Sequence, residues 1–333
     1  MPRTRSSDRS RREFCVTCLR YSAFGWATVS AVRGGLASSI LSAQTAAPAQ
    51  AASLVERVRA SAATAKIAVH ALRGNISVLS GSGGNIAVLT GRDGKVLVDA
   101  GLTGSRPQIT EALATLGPAP VKHLVNTHWH FDHTDGNAWL HTAGAKISAH
   151  ENVRKRMSQA QRVDAWGVTF PPAPADALPA DVFPADRTLD VNGTRLAIKY
   201  YGPCHTDGDV SVTFADADIL HAGDTWWNGM YPFIDYSTGG SINGMIRAAG
   251  VTLGLVTEKT QIVPGHGPVG DRAQLAQFRD MLVTVRDKVA ALKKEGRTLD
   301  EIVAAKPTAA FDAKWSRSPD AADTFTRLVH QGV

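Results

Sequence analysis

Thr127-His128-Trp129-His130-Phe131-Asp132-His133 gathers three imidazoles and a carboxylate within a few consecutive residues. Neutral nitrogens with one hard anionic oxygen are the donor set that a borderline-soft divalent ion takes. His128 and His130 stand two residues apart, so an extended segment points both the same way. Asp132 and His133 then open a helix, where a carboxylate also suits the positive end of the helix dipole. The run before the motif, Val121–Asn126, reads as a buried strand, so the motif lies where a strand ends. Other strand-like runs finish the same way: LAIKYYGPCH at His205, DILHAGD at Asp224 and TQIVPGH at His266. Ligand sites in α/β sheets form where strand ends meet loops, which joins these residues to the motif as candidates.

Outward from the motif, residues 52–65 read as a short leading helix, and IAVHAL, NISVLS, NIAVLT and KVLVDAG between Lys66 and Gly101 read as strands. Gly-rich breaks separate them, and Asp93-Gly94 suits a hairpin turn. A helix is expected over 106–116, and helices over 132–143 and 151–162 flank a strand at Lys146–His150. Residues 164–185 carry five prolines without apolar periodicity and read as a long loop of functional type. Strands resume at 195–201, 209–214, 218–223 and 261–263, with a helix near 241–249. An amphipathic helix spans 271–294, and shorter helices finish the chain. No repeat of solenoid period is visible. Strands and helices mixed in this way imply an α/β sandwich with helices outside the sheets.

VLVDAG with Asp99, THWHFDH, GPCHTDGD with His205, HAGDTWW with Asp224 and VPGHG with His266, in that order, resemble the landmarks of the metallo-β-lactamase superfamily over roughly residues 66–270. The histidine motif and the ordered set are specific; VLVDAG and PGHG alone are weak. The resemblance implies a four-layer αβ/βα sandwich, with a catalytic domain over 52–270 and a C-terminal helical extension over 271–333. It also implies two zinc ions, with iron or manganese as alternatives. His128, His130 and His205 would hold the first, Asp132, His133 and His266 the second, and Asp224 would bridge them. Asp99 would be a carboxylate behind the ligands that fixes the site. His150 and His221 have no ligand role in the family and read as structural.

The two ions would share a hydroxide whose pKa coordination brings near neutrality. It would attack a thioester, ester, lactone or amide carbonyl, with Asp132 orienting the nucleophile and shuttling its proton. Loops 164–185 and 226–240 are expected to wall the substrate pocket; Trp166 and Phe170 in the first, and Trp226, Trp227, Tyr231, Phe233 and Tyr236 after Asp224, suit either that pocket or the core. Relatives narrow the choice by exclusion. β-Lactamases of the superfamily usually have Cys or Ser in the region of the bridging Asp. Lactonases carry Tyr where this chain has Trp227, and flavodiiron relatives carry Glu where it has His130. Hydroxyacylglutathione hydrolases share the whole ligand set, but their glutathione-binding basic residues are not recognisable. Three other readings stand beside the hydrolase. They are a β-lactamase, a mononuclear iron dioxygenase using His128, His205 and Asp224, and a non-catalytic periplasmic accessory protein.

The net charge of +6 is unevenly placed. Residues 1–51 carry seven Arg against Asp8 and Glu13, leaving 29 basic and 28 acidic groups in the rest. That balance excludes the basic face nucleic-acid binding needs and leaves a small molecule as the expected partner. Ser10-Arg11-Arg12-Glu13-Phe14-Cys15-Val16 resembles the twin-arginine export motif. Ala49-Gln50-Ala51 then suits a signal peptidase, so a periplasmic or secreted protein cleaved near Ala51 is expected, with the twin-arginine translocation machinery as a transient partner. The charge-free run Tyr21–Val32 is too short to span a membrane. Cys15 and Cys18 fall inside that segment, so cleavage leaves Cys204 alone and no disulfide within the mature chain.

Overall fold

The computed structural model describes residues 53–333. The twin-arginine motif, Cys15, Cys18 and the cleavage site near Ala51 lie outside the described residues. In chain order the elements are α1 (Leu54–Ala62), β1 (Ala68–Ala71), β2 (Ile76–Ser80), β3 (Ile86–Leu89), β4 (Lys95–Val98), α2 (Arg106–Thr115) and β5 (Val121–Val125). Then follow α3 (Phe131–Thr134), α4 (Asn137–Thr142), β6 (Lys146–His150), α5 (Glu151–Met157), β7 (Gln161–Val163), β8 (Val168–Phe170) and β9 (Asp181–Phe183). The second half holds β10 (Arg187–Val191), β11 (Thr194–Tyr200), β12 (Val210–Phe214), β13 (Ile219–His221), α6 (Ile242–Leu255) and β14 (Gln261–Val263). It closes with α7 (Arg272–Lys294), α8 (Leu299–Ala304), α9 (Asp312–Trp315) and α10 (Ala321–Gln331).

Two sheets stack face to face between outer helices, the four-layer α/β arrangement. The first has the order β1-β2-β3-β4-β5-β6-β9 and the second β10-β11-β12-β13-β14. Alternation along each strand builds the layers. In β3 and β4, Ala87, Leu89, Val96 and Val98 face the second sheet, where they meet Leu196, Val212, Phe214 and Val263. Their neighbours Ile86, Val88 and Leu97 face the other way, onto Ile109 and Leu113 of α2 and Leu140 of α4. Both faces are covered, which is why these strands read as continuous apolar runs. The far side of the second sheet offers Leu220 and Ile262 to α6 and α7, and Trp315, Phe325 and Val329 complete that layer. The helices after Asp271 thus share one core with α6. A capping box of Asp271 and Gln274 starts α7 where the sequence places it.

Three expectations are corrected. Residues 164–185 are not one loop: β7 and β8 pair as a hairpin, and β9 joins β6 as a parallel edge strand. The expected helix over 132–143 is two short pieces. Between them the Gly136 N–H leaves the helical ladder for the Gly101 carbonyl at 3.1 Å, and a Cβ there would strike the Ala100 carbonyl. The strand β10 was not anticipated, although Asn192-Gly193 marks its hairpin with β11. Both residues have positive φ (54° and 73°), as a type I′ turn demands. No helix among the described residues is long and apolar enough to cross a membrane.

Candidate metal centre

Four strand ends meet at one edge of the sandwich. Beyond β5 the chain stays extended through Thr127–His130, and His130 caps α3, whose first turn carries Asp132 and His133. The link between β11 and β12 brings His205. A 3-10 turn after β13 brings Asp224, and the turn after β14 brings His266. One donor atom from each of His128, His130, His205 and Asp224 lies within 4.8 Å of the others, and Asp132, His133 and His266 form a second such group. Asp224 sits between the groups. Its Oδ2 is 3.3 Å from His205 Nε2, 3.8 Å from His128 Nε2 and 3.4 Å from His266 Nε2, while its Oδ1 is 3.1 Å from His133 Nε2. Asp132 Oδ2 lies 3.2 Å from His266 Nε2. The structure therefore brings together all the residues the sequence singled out as ligands.

The far nitrogen of four of these rings is engaged behind the site, which sets which nitrogen faces inward. His205 Nδ1 donates to the Phe233 carbonyl at 2.9 Å, and His130 Nε2 donates to the Asp235 carboxylate at 3.0 Å. Both acceptors can only accept, so the facing atoms, His205 Nε2 and His130 Nδ1, are lone pairs 2.9 Å apart. Two lone pairs at that distance repel unless a proton or a metal ion lies between them. His133 Nδ1 donates to Asp99 Oδ2 at 2.8 Å. His128 Nδ1 lies 3.0 Å from Thr127 Oγ1, whose own proton goes to Asp99 Oδ2 at 2.8 Å. His128 Nε2 is buried with no hydrogen-bond partner among the described residues, and an unsatisfied buried acceptor costs about 1–3 kcal/mol. The donor set and its orientation fit two divalent ions.

The charge pattern agrees with that geometry. Burial, then the neighbouring His133, holds His128 well below the ordinary imidazole range, and burial likewise lowers His205. Burial works against the charged form of His266, yet Asp224 and Asp132 raise it to about 9, and His133 is raised well above its ordinary range by the same carboxylates. Against its own burial, Asp132 is lowered to about 2 by His133 and His266. Asp224, also opposed by burial, is held well below the carboxylate range by the surrounding imidazoles. The carboxylates thus favour positive charge at the centre.

Several supports were absent from the sequence reading. Asp235, which holds His130, lies in no motif. Gly84 and Gly265 leave room for the His133 ring and the Asp224 carboxylate, because a Cβ at either position would overlap them. The Asn85 side chain donates to the Pro264 and Gly267 carbonyls at 2.9 Å each, tying the β2–β3 turn to the turn that carries His266. The Gly-rich SGSGGN run was visible, but only as a strand break. Asp99, expected behind the ligands, is there with φ of 68°, and it also accepts the Thr127 N–H at 2.7 Å.

The remaining candidates divide. Trp166, at the tip of the β7–β8 hairpin, stacks on Phe233 with ring centres 4.7 Å apart and lies 5.1 Å from the His130 ring. Trp227 lies 4.3 Å from the His266 ring on the other side. Phe170 is buried behind the motif against Trp129 and Phe131. Trp226 and Tyr231 are corrected as pocket walls. Trp226 is fully enclosed in the core of the outer helical layer, and Tyr231 stacks on Phe325 of α10 while its hydroxyl donates to Asp312. Tyr236 packs against that same core. His150 stacks on Tyr200 and bonds the Pro184 carbonyl. His221 bridges the Asn85 carbonyl and the Gly223 N–H, and so braces the turn before Asp224. Cys204 turns away from the centre, donating to Asp209 Oδ2 at 3.1 Å, and burial pushes its thiol well above the ordinary range.

Comparison with known proteins places this geometry in a family. A model described as the metallo-beta-lactamase superfamily matches residues 79–290. A hydroxyacylglutathione hydrolase from Polaromonas sp. is 26% identical over 52% of this chain and 64% of its own length. Another from Erythrobacter litoralis is 33% identical over 32% of this chain and 34% of its own length. The matched region therefore spans less than two thirds of either relative. A probable metallo-hydrolase, YqgX of Bacillus subtilis, is 26% identical over 50% of this chain and 78% of its own. Among solved structures, a metallo-beta-lactamase from Pontibacter korlensis superposes with a TM-score of 0.53 at 20% identity, over 65% of this chain and 99% of that one. The sec-alkylsulfatase Pisa1 from Pseudomonas sp. gives 0.59 at 18% identity, over 83% of this chain and 52% of that one. At such identities the likeness is one of fold.

Proposed function

The chain belongs to the metallo-beta-lactamase superfamily, and from that premise we propose that it is a hydrolase of carbonyl substrates that works with two divalent metal ions, zinc foremost. The observation that carries this reading is the position of Asp224 between the halves: its Oδ2 lies 3.3 Å from His205 of the first and 3.4 Å from His266 of the second, and its Oδ1 lies 3.1 Å from His133. When bound, the ions would bring the pKa of a water near neutrality and polarise the carbonyl under attack. His128, His130 and His205 would hold the first and Asp132, His133 and His266 the second, with Asp224 shared. The Asp132 carboxylate, ionised at neutral pH and partly exposed, would orient the attacking water and carry its proton toward the leaving group. No side-chain nucleophile is required, and the buried Cys204 thiol supplies none. Trp166, Phe233 and Trp227 would receive the apolar part of the substrate.

Thioesters head the assay order because two of the relatives are named as hydroxyacylglutathione hydrolases. The test is elemental analysis of the purified protein, followed by a panel of thioester, ester, lactone and β-lactam substrates. Two equivalents of metal and turnover of any carbonyl class support the reading. One equivalent of iron with oxygen-dependent turnover, or metal-free protein inert to the whole panel, would sink it. Export is a separate part of the proposal, motivated by Arg11, Arg12 and the Ala49–Ala51 segment. Replacing both arginines by lysine should leave an uncleaved precursor in the cytoplasm, and normal export of that variant would remove this part.

A further inference from the structure

The first half of the metal centre is held from behind by a segment that no sequence motif reaches. Asp235 Oδ2 accepts from His130 Nε2 at 3.0 Å and from the Thr238 hydroxyl at 2.6 Å, while its Oδ1 accepts from the Ser237 N–H at 3.0 Å. The Thr238 oxygen in turn accepts from Trp129 Nε1 at 3.0 Å, the residue between His128 and His130. The main chain of Asp235 is fixed as well. Its N–H donates to the His205 carbonyl at 3.0 Å, and its carbonyl accepts from Gly240 at 2.7 Å. A Cβ on Gly240 would collide with both carbonyls, so this close approach requires glycine. Two residues earlier, the Phe233 carbonyl holds His205 Nδ1.

From this geometry we propose that Asp235 is the positioning residue of the first half of the centre: it keeps His130 as the Nε2–H tautomer, so that the Nδ1 lone pair faces inward beside His205. The proposal rests on the metal reading of the site. Asp235 can do this because its loop is clamped from outside. The Tyr231 N–H donates to the Trp315 carbonyl at 3.1 Å, the Tyr231 hydroxyl reaches Asp312 at 2.7 Å, and Arg317 Nε donates to the Gly229 carbonyl at 2.6 Å. The C-terminal helices therefore serve the centre at second hand, through the 229–240 segment. The same hub reaches the substrate side, since the Ser237 hydroxyl accepts the Asp164 N–H at 3.1 Å and so anchors the hairpin that carries Trp166.

Asp235→Asn separates positioning from mere packing. An amide with its oxygen toward His130 and Thr238 would keep the Nε2–H and show it in the histidine spectra; with the oxygen on the Ser237 N–H, the amide NH2 lands beside His130 Nε2. His130 must then accept there and carry its proton on Nδ1, aimed at the ion. The measurements are zinc titration of the full chain against a chromophoric chelator, and proton–nitrogen correlation spectra of the 15N-histidine-labelled, zinc-loaded chain. In the wild type His130 should show a protected Nε2–H. In the variant, with a thermal midpoint close to wild type, affinity for one zinc equivalent should fall roughly 10–100-fold while the other equivalent stays. An Nδ1–H tautomer for His130 in the wild type overturns the proposal even if the variant fails to fold. So does a variant that carries the Nδ1–H tautomer and still binds both equivalents unchanged. A wild type that takes up no divalent ion would instead overturn the metal reading, and the tautomer in the unloaded chain would still judge Asp235.

Discussion

His128, His130 and His205 are 0–2% exposed, and each has its rear nitrogen engaged, two of them from the 233–235 segment. In the other half, His133 is equally buried and braced by Asp99, but Asp132 and His266 keep 15% and 19% of their side-chain surface open. The first half is thus assembled inside the protein, where ligand geometry is fixed before an ion arrives. The second half borders solvent, where a ligand can yield to a substrate atom. Fixed geometry suits retention of an ion, and an open edge suits exchange and chemistry. The difference follows from how the chain delivers the residues. A rigid strand end and a buried loop build the first half, while a single helical turn and the tip of the His266 loop build the second.

Removing the residue common to both halves should have the largest effect. Asp224→Ala deletes an anion enclosed by His128, His133, His205 and His266 and leaves the cationic centre it faces uncompensated. Breaking a buried pair of this kind costs about 3–5 kcal/mol, or roughly two to four orders of magnitude if expressed in the rate. Loss of at least one metal equivalent should accompany it. Two tightly held ions with full activity would show that the halves do not share this carboxylate.

The halves are separated more sharply by His266→Ala. It removes a ligand from the open side alone, so one metal equivalent should remain while activity falls. Wild type under a slow chelator should show the same order, with one equivalent leaving early and one late. Simultaneous loss of both would erase the asymmetry. Asp99→Ala tests the brace, because Asp99 holds His133 directly and His128 through Thr127. A loss of roughly 10–100-fold in metal affinity is expected, with both equivalents weakened. Weakening confined to one equivalent would show that the Thr127 link carries nothing.

The two halves were also unequally legible. His128, His130, Asp132 and His133 announce themselves because donor residues at short spacing are rare and the strand before them is plain. His205, Asp224 and His266 could be read because each closes an apolar strand-like run. The α/β sandwich followed from the same alternation of strands and helices, and its four layers from the family resemblance. Asp235 could not be read, since a lone Asp in an irregular segment carries no periodicity and gains its role only from tertiary approach to His130. The hairpin β10–β11 is a different case. Asn192-Gly193 was a usable turn signal, but the charged, half-exposed β10 lacks the apolar run that draws attention. Residues 164–185 were misread because prolines mask edge strands as short as β8 and β9, which need few ladder bonds.

The smallest effect expected on chemistry, and the finest test of which surface meets substrate, comes from two adjacent tryptophans. Both follow Asp224, and sequence alone gives them one role. The backbone there is extended, so their side chains leave on opposite sides. Trp226 enters the core beside Phe278 and Leu275, whereas Trp227 turns to the open half and packs on the His266 ring. Trp226→Ala empties a sealed volume and should cost about 3–5 kcal/mol of stability, with KM for any active substrate unchanged in the fraction that folds. Trp227→Ala removes apolar surface beside the open ligand. If the substrate covers it, about 1.5–3 kcal/mol of binding is lost, and KM rises roughly tenfold or more with metal content intact. The measurements are thermal midpoints and steady-state kinetics of both variants on the best substrate of the panel. A shift in KM from Trp226→Ala, or an unchanged KM with lost stability from Trp227→Ala, would reverse the assignment and move the pocket toward the Trp166–Phe233 wall beside the closed half.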